Sequence, residues 1–302
     1  MSTDSVPQIV GLAAVDVEAA LAELARARDR DYYDADNDAA AADAYYTGVA
    51  PEQFAALVTR SHVRRPGYKP ARELYPWVDL QPTGKLRSLY TGHEYDPEDL
   101  IRADLALAEA RATQLTLRLD AVAALGTAGG QAELAGEVQA EVEAALPFNC
   151  EHVVPQSWFA KREPMRGDLH HLFACESRCN SFRGNTPFTE FEDFPEPATA
   201  SPVVRVVRDA CGKSQANGFE PAHGKGAAAR AVFYFLLRYP GEVQAGELPP
   251  PRLRMLLSWH EEHPITEWER HRNAAIFERQ GNRNPFIDHP TVARRLFSDV
   301  IT

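Results

Sequence analysis

Among long stretches of helix-forming sequence the chain carries one short β-prone run, Phe148-Asn149-Cys150-Glu151-His152-Val153-Val154, closed by Pro155. Proline cannot donate to a sheet ladder and so suits a strand end. A returning strand is expected from Leu169 to Ala174, and Glu176 to Arg183 has helix length before Gly184 stops it. The local order is therefore strand, loop, strand, helix. On either side, helix formers and apolar residues spaced by three and four predict helices over 15–30, 51–64, 98–125, 131–146, 226–238, 250–260 and 265–280. Pro66, Gly67, Pro70, Pro76, Pro82 and Gly84 mark an irregular connector, and Pro147 closes the helix before the β-prone run. The expected fold is α+β, mostly helical, with a small strand-containing unit at the centre.

A chain of 302 residues can bury an ample core, and 44% hydrophobic with 25% charged residues is a soluble, globular profile. No apolar run approaches the roughly 20 residues that a membrane-spanning helix needs. Met1-Ser2-Thr3-Asp4-Ser5 lacks the basic and apolar regions of a secretory signal, so a cytoplasmic protein is expected, with no membrane and no protein partner. The net charge of −11 by itself argues against nucleic acid. Residues 1–50, however, hold ten Asp and Glu against three Arg, a net of −7, and only −4 remains for the rest. Lys161, Arg162, Arg166, Arg178 and Arg183 form a local basic group around the β-prone run. Asp34 to Asp38 imitates a calcium loop but has Ala39 and Tyr45 where Gly and Glu are required, so it reads as a solvated acidic helix or linker.

The chemistry sits in the central unit. Glu151 and His152 are adjacent, and Asn180 follows on the helix. Two oxygens, one from Glu151 and one from Asn180, suit Mg²⁺, which takes few protein ligands. His152, neutral at physiological pH when its pKa is near ~6.5, is the candidate general base. One tension is visible in advance: neighbours on a strand point to opposite faces, so Glu151 and His152 should diverge.

The runs Glu-His-Val-Val-Pro-Gln-Ser-Trp (151–158), Asp-Leu-His-His-Leu (168–172) and Asn-Ser-Phe-Arg-Gly-Asn (180–185) resemble the endonuclease I family of nonspecific bacterial nucleases. The resemblance extends to Gly224-Lys225-Gly226, the helix carrying Tyr234, Trp259-His260 and Gln280 to Phe286, spanning roughly residues 50–290. It implies a ββα-metal (His-Me finger) core, Mg²⁺ on Glu151 and Asn180, His152 as base, and products with 5′-phosphate and 3′-hydroxyl ends. Family members carry a longer loop after the Glu-His pair that supplies an arginine to the scissile phosphate. Here fourteen residues separate Val153 from Asp168, and Arg162, Arg166 or Arg183 is the candidate replacement. Some relatives have a carboxylate where this chain has Arg166-Gly167. A structural role is expected for His170 and His171, and for the Gln280 to Phe286 loop.

Cys150, Cys175, Cys179 and Cys211 are the only cysteines. Cys150 precedes Glu151, Cys179 precedes Asn180, and Cys175 and Cys179 share a helix face, so a structural Cys₄ Zn²⁺ site bracing strand against helix is the expectation. Disulfides and four separate thiols are the alternatives. Two other signals fail: His260-Glu261-Glu262-His263 has the wrong spacing for a zinc-protease helix, and Gly212-Lys213-Ser214 lacks the earlier glycine of a phosphate loop.

The resulting expectation is a Mg²⁺-dependent endonuclease acting on DNA, with RNA left open, at little sequence preference. It comprises an acidic helical extension (1–50) and a nuclease domain (51–302) whose core lies at about 147–186. The rivals are a sequence- or structure-selective nuclease of a defence or phage system and a zinc-braced nucleic-acid-binding protein without activity.

Overall fold

The computed structural model describes residues 5–103, 106, 110, 113, 148–192, 207–215 and 218–298. Helices α1 (Ser5–Arg28), α2 (Ala35–Tyr46), α3 (Phe54–Ser61) and α4 (Pro70–Glu73) lead into the two-residue strands β1 (Leu86–Arg87) and β2 (Glu94–Tyr95). The central unit is β3 (Phe148–His152), β4 (Leu172–Glu176) and α5 (Ser177–Arg183). A sheet of β5 (Val207–Asp209), β6 (Gly212–Gln215) and β7 (Gly218–Pro221) follows. The chain then runs through α6 (Lys225–Arg238), α7 (Pro250–Glu262), α8 (Glu267–Gln280), α9 (Pro285–Asp288) and α10 (Val292–Leu296). The mostly helical α+β character is as expected from the periodicity, and α6, α7 and α8 lie where it put them. The helices expected over 98–125 and 131–146 lie largely outside the described residues.

β3 and β4 pair antiparallel with Glu151 opposite Phe173 and His152 opposite Leu172. β4 starts three residues later than expected, because Leu169–His171 forms a 3-10 turn whose N-cap, Asp168, accepts from the His170 backbone N–H at 3.1 Å. The ribbon is wedged between two apolar clusters. Cys150, Leu172 and Ala174 join one cluster with Leu74, Val78 and Leu86, whereas Phe173 and Cys175 join another with α6 and α7. Burial on both faces explains why this stretch shows no polar–apolar alternation. The backbone N–H of Leu89 donates to the Ala174 carbonyl at 3.0 Å, tying the connector to the free edge of β4.

The acidic N-terminal segment, expected as a helical extension, packs an apolar stripe inward. Val17, Ala20, Leu24 and Ala27 of α1 are buried at helical spacing. Ion pairs Asp16–Lys69 and Glu23–Arg72, at 2.7 and 2.8 Å, flank that contact. Asp34 does not open a calcium loop; its side chain caps α2 by accepting from the Asn37 N–H at 3.0 Å.

The cysteines correct the zinc expectation. Cys179 and Cys211 are joined in a disulfide with Cα atoms 5.3 Å apart, and Cys150 and Cys175 are buried free thiols. Because Cys150 lies opposite Ala174 and Cys175 opposite Asn149, strand alternation sends these two thiols to opposite faces of the ribbon. Four sulfurs therefore do not converge on one point. Among the described residues, one trio of potential metal-ligating atoms comes together, Glu176, Cys179 and Cys211, and two of its members are already bonded to each other.

Candidate active site

The last two residues of β3 do diverge. Glu151 is 1% exposed and its Oε1 accepts the Tyr90 hydroxyl at 2.7 Å. The same oxygen forms a buried ion pair with Arg183 of α5. The Arg183 guanidinium also donates to the carbonyls of His152 and Val153, at 3.0 and 2.8 Å, and its carbon lies 4.4 Å from the Phe188 ring centre. Burial pushes the Glu151 carboxyl upward, and Arg183 and the Tyr90 hydroxyl oppose it. A guanidinium does not surrender its proton, so the contact is that of an ion pair. Both contacts end on Oε1, which leaves Oε2 as the oxygen for a further ligand.

His152 faces the other way. Its Nε2 lies 2.9 Å from the Arg166 carbonyl oxygen, which only accepts, so Nε2 carries the proton and Nδ1 bears the lone pair. The Gln156 amide approaches Nδ1 at 3.3 Å, while the Gln156 Oε1 accepts from Arg166 Nε at 3.1 Å. The ring packs 4.9 Å from Tyr68 and 5.4 Å from His171. Burial, seconded by the neighbouring His171, holds the imidazole well below its ordinary value, in the neutral form that a base requires.

Asn180 lies on α5, where its Nδ2 donates to the Cys150 carbonyl at 3.5 Å. That contact lays α5 against β3 one residue before Glu151. The three arginines have separate fates. Arg162 is turned outward to Glu242, Arg183 is enclosed against Glu151, and Arg166 stands beside His152 with its guanidinium carbon 5.0 Å from the Tyr68 ring centre.

Behind His152 lies a polar knot built from the other resembling segments. Asp168 is fully buried, and its carboxylate accepts from the hydroxyls of Tyr234 and Tyr239, both at 2.8 Å, and from Gln280 Nε2 at 3.1 Å. Asn282 Nδ2 donates to the Tyr234 hydroxyl at 2.6 Å, and the His170 ring packs tilted against Tyr234 with ring centres 4.2 Å apart. His171 Nε2 donates to the Met165 carbonyl at 2.6 Å. The C-terminal loop thus holds the turn that carries His170 and His171. Gly281, at φ +88°, ends α8 there, and a Cβ on it would meet the Ser61 carbonyl oxygen at 2.7 Å.

Sequence reasoning missed Tyr68, Tyr90 and the role of Gln156. Gln156 stands four residues after His152, inside the run already singled out. Tyr90 lies 61 residues before Glu151 in the irregular connector, where nothing local marks it.

A sequence model of the family described as Endonuclease I matches residues 104–291. The chain is 31% identical over 170 residues to an extracellular ribonuclease of Bacillus subtilis (strain 168), covering 50% of this chain and 54% of that protein. It is 27% identical over 164 residues to a periplasmic deoxyribonuclease of Aeromonas hydrophila, covering 48% and 64%. An extracellular deoxyribonuclease of the same organism is 28% identical over 127 residues, 41% of this chain and 50% of that one. The matches thus span about half to two thirds of these relatives. Their names overturn the expectation of a cytoplasmic protein, and the Cys179–Cys211 disulfide agrees, since such bonds persist in oxidising compartments.

Proposed function

Because the chain belongs to the endonuclease I family, we propose that it is a metal-dependent endonuclease that hydrolyses internal phosphodiester bonds of DNA with little sequence preference. RNA is the second substrate class, in keeping with ribonucleases among the relatives. The observation that carries this reading is the fixed tautomer of His152, neutral and with Nδ1 as its acceptor.

In this reading β3, β4 and α5 are the ββα-metal core, within a nuclease domain of residues 51–302 preceded by an acidic extension of residues 1–50. Glu151 and Asn180 fit a hard divalent cation by the chemistry of their donors, a carboxylate oxygen and a carboxamide oxygen on adjoining elements. Arg183 and Tyr90 occupy one Glu151 oxygen and leave the other. Bound Mg²⁺ would supply Lewis-acid stabilisation of the charge that develops on phosphate.

The remaining steps belong to the side chains. His152 Nδ1 takes a proton from the attacking water, and the Nε2 contact to the Arg166 carbonyl keeps the ring oriented as it becomes charged. Gln156 holds Nδ1 until water replaces it. Of the three candidate arginines, Arg166 is the one for the scissile phosphate, since it stands beside His152 and, among the described residues, no carboxylate pairs with it. Attack on phosphorus with departure of the 3′ oxygen leaves 5′-phosphate and 3′-hydroxyl ends.

The test is digestion of supercoiled plasmid and of RNA in Mg²⁺ by wild type and His152→Ala, with folding checked by circular dichroism. Smooth degradation by wild type and none by the folded mutant is the expected result. Discrete fragments would instead indicate a selective nuclease, and tight binding without cutting a nucleic-acid-binding protein. Equal cutting by the mutant would remove His152 from the mechanism.

A further inference from the structure

Arg238, the last residue of α6, is 7% exposed, yet among the described residues nothing accepts a hydrogen bond from its guanidinium and no carboxylate pairs with it. Its carbon lies 4.5 Å from the Tyr239 ring centre. Nε is sealed from water, whereas the two terminal nitrogens are not, so the guanidinium opens outward. Leaving water is costly for a charge, and a buried one without a partner calls for an anion from outside the chain. The acid next in sequence, Glu242, is paired with Arg162 instead.

A second guanidinium stands close by. Arg65 is exposed, and its Nε donates to the His62 carbonyl at 3.3 Å. Among the described residues no carboxylate pairs with it, although its neighbours are engaged. Arg64 donates to the carbonyls of Glu278 and Arg279, and Lys69 pairs with Asp16 at 2.7 Å. Arg65 and Arg238 act on the same two groups. Burial lowers His62, the Asp168 charge opposes this, and the charges of Arg238 and Arg65 lower it further. Burial and Asp168 raise Tyr239, and the same two guanidiniums oppose that. The acid in this group, Asp168, is fully buried and already accepts from Tyr234, Tyr239, Gln280 and the His170 backbone N–H. One buried negative charge thus faces two guanidiniums, and positive charge is left over at the surface.

This surface adjoins the candidate active site. A Cβ on Gly167 would collide with the Pro66 carbonyl oxygen, so the residue after Arg65 lies directly against the residue after Arg166. Tyr68 then packs on both the Arg166 guanidinium and the His152 ring.

We propose that Arg65 and Arg238 form a second phosphate-binding subsite beside Arg166. The planar forks of two arginines suit the oxygens of a phosphate group. That group is either a backbone phosphate flanking the scissile one or the free anion. The first source rests on the cleavage reading, whereas the subsite itself does not.

The test uses the full chain in EDTA, where no turnover occurs. Fluorescence anisotropy follows a short labelled single strand, and titration calorimetry follows inorganic phosphate. Arg65→Gln and Arg238→Met should each weaken strand binding about five- to tenfold at low salt and flatten the slope of log K against log[salt] by about 0.7, the value for one contact to a single strand. Arg294→Gln, at an exposed arginine paired with Glu261, should change neither. Because Arg238→Met removes a buried charge that lacks a partner, its urea midpoint should equal or exceed that of wild type. Arg65→Gln, at an exposed position, carries the test if Arg238→Met does not fold. Weaker phosphate binding with unchanged strand binding assigns the subsite to the free anion. Strand and phosphate affinities that match wild type in both variants overturn the proposal, and so does a wild type that binds neither ligand. Plasmid nicking by wild type in Mg²⁺ is followed separately. Nicking with both variants binding as wild type does removes the subsite alone, and variant-sensitive phosphate binding without nicking removes the cleavage reading alone.

Discussion

Arg183 bonds the Glu151 carboxylate and, with the same guanidinium, the carbonyl oxygens of His152 and Val153. One side chain from α5 therefore sets both the carboxylate and the end of β3. Both partners are 1% exposed, so Arg183→Ala leaves a buried carboxylate without its cation and should destabilise by about 3–5 kcal/mol. Arg183→Lys recovers little, because an ammonium cannot span three acceptors at once. Urea denaturation of the three proteins checks the order wild type, Lys, Ala.

Tyr90→Phe removes one donor from Glu151 without changing the packing volume. Loss of a hydrogen bond to a charged group should cost about 1.5–3 kcal/mol. If Tyr90 positions the carboxylate for metal, the apparent Mg²⁺ requirement for plasmid nicking rises as well. A stability loss with an unchanged Mg²⁺ titration would make Tyr90 a packing residue.

The arginines should separate in a cleavage assay. Arg166→Ala is expected to slow nicking by about a hundredfold, the scale of losing one charged stabiliser of the transition state. Arg162, which is exposed and paired with Glu242, should be replaceable by Ala with less than about a twofold effect, because such surface pairs contribute little. The reverse ranking would move the phosphate site to the other side of the loop.

Buried histidines set an acid limit on stability. Burial, opposed by the Asp168 charge, holds His170 down to about 4, and burial also lowers His62 and His171. A group whose folded pKa lies below its unfolded value binds fewer protons when folded. The stabilisation is therefore complete above about pH 6.5 and is lost as pH falls from there toward 4. His170 alone accounts for about 3 kcal/mol of that loss. Burial raises the Asp168 carboxyl, but the surrounding histidines and Gln280 outweigh it and hold the group low, so Asp168 adds a further loss below about pH 4. Urea midpoints measured from pH 7.5 to 4 should fall steadily below 6.5, and less steeply in His170→Asn. A flat profile through that window would contradict the assignment.

The disulfide closes a loop of sequence separation 32. Its reduction should cost about 3–4 kcal/mol by chain entropy, seen as a lower thermal midpoint in dithiothreitol. A zinc chelator should leave the midpoint of the oxidised protein unchanged, and elemental analysis should find no stoichiometric zinc.

Local chemistry carried some of these conclusions unaided. The spacing of apolar residues was sufficient for α6, α7 and α8, because each buries one stripe and shows it every three or four residues. The Glu151-His152 pair and Asn180 were legible because their chemistry needs those residue types close together in the chain or on the next element. β4 was mislocated by three residues because a ribbon buried on both faces shows no alternation. The strands β5, β6 and β7, each three or four residues long, are too short to display a period.

Long-range pairing is where reading along the chain stops. The partner of Glu151 comes from 61 residues upstream and that of Asp168 from 112 residues downstream, and no local pattern encodes such distances. The cysteines make the same point. Their positions beside Glu151 and Asn180 suggested one metal site, yet strand alternation turns Cys150 and Cys175 apart while the fold carries Cys211 to Cys179. Residue chemistry along the chain was enough to propose a base and two oxygen donors and to expect a helical scaffold. Which arginine stands beside His152, which one is locked to the Glu151 carboxylate, and which sulfurs meet depended on how distant segments pack, because burial and direction exist only once the chain has folded.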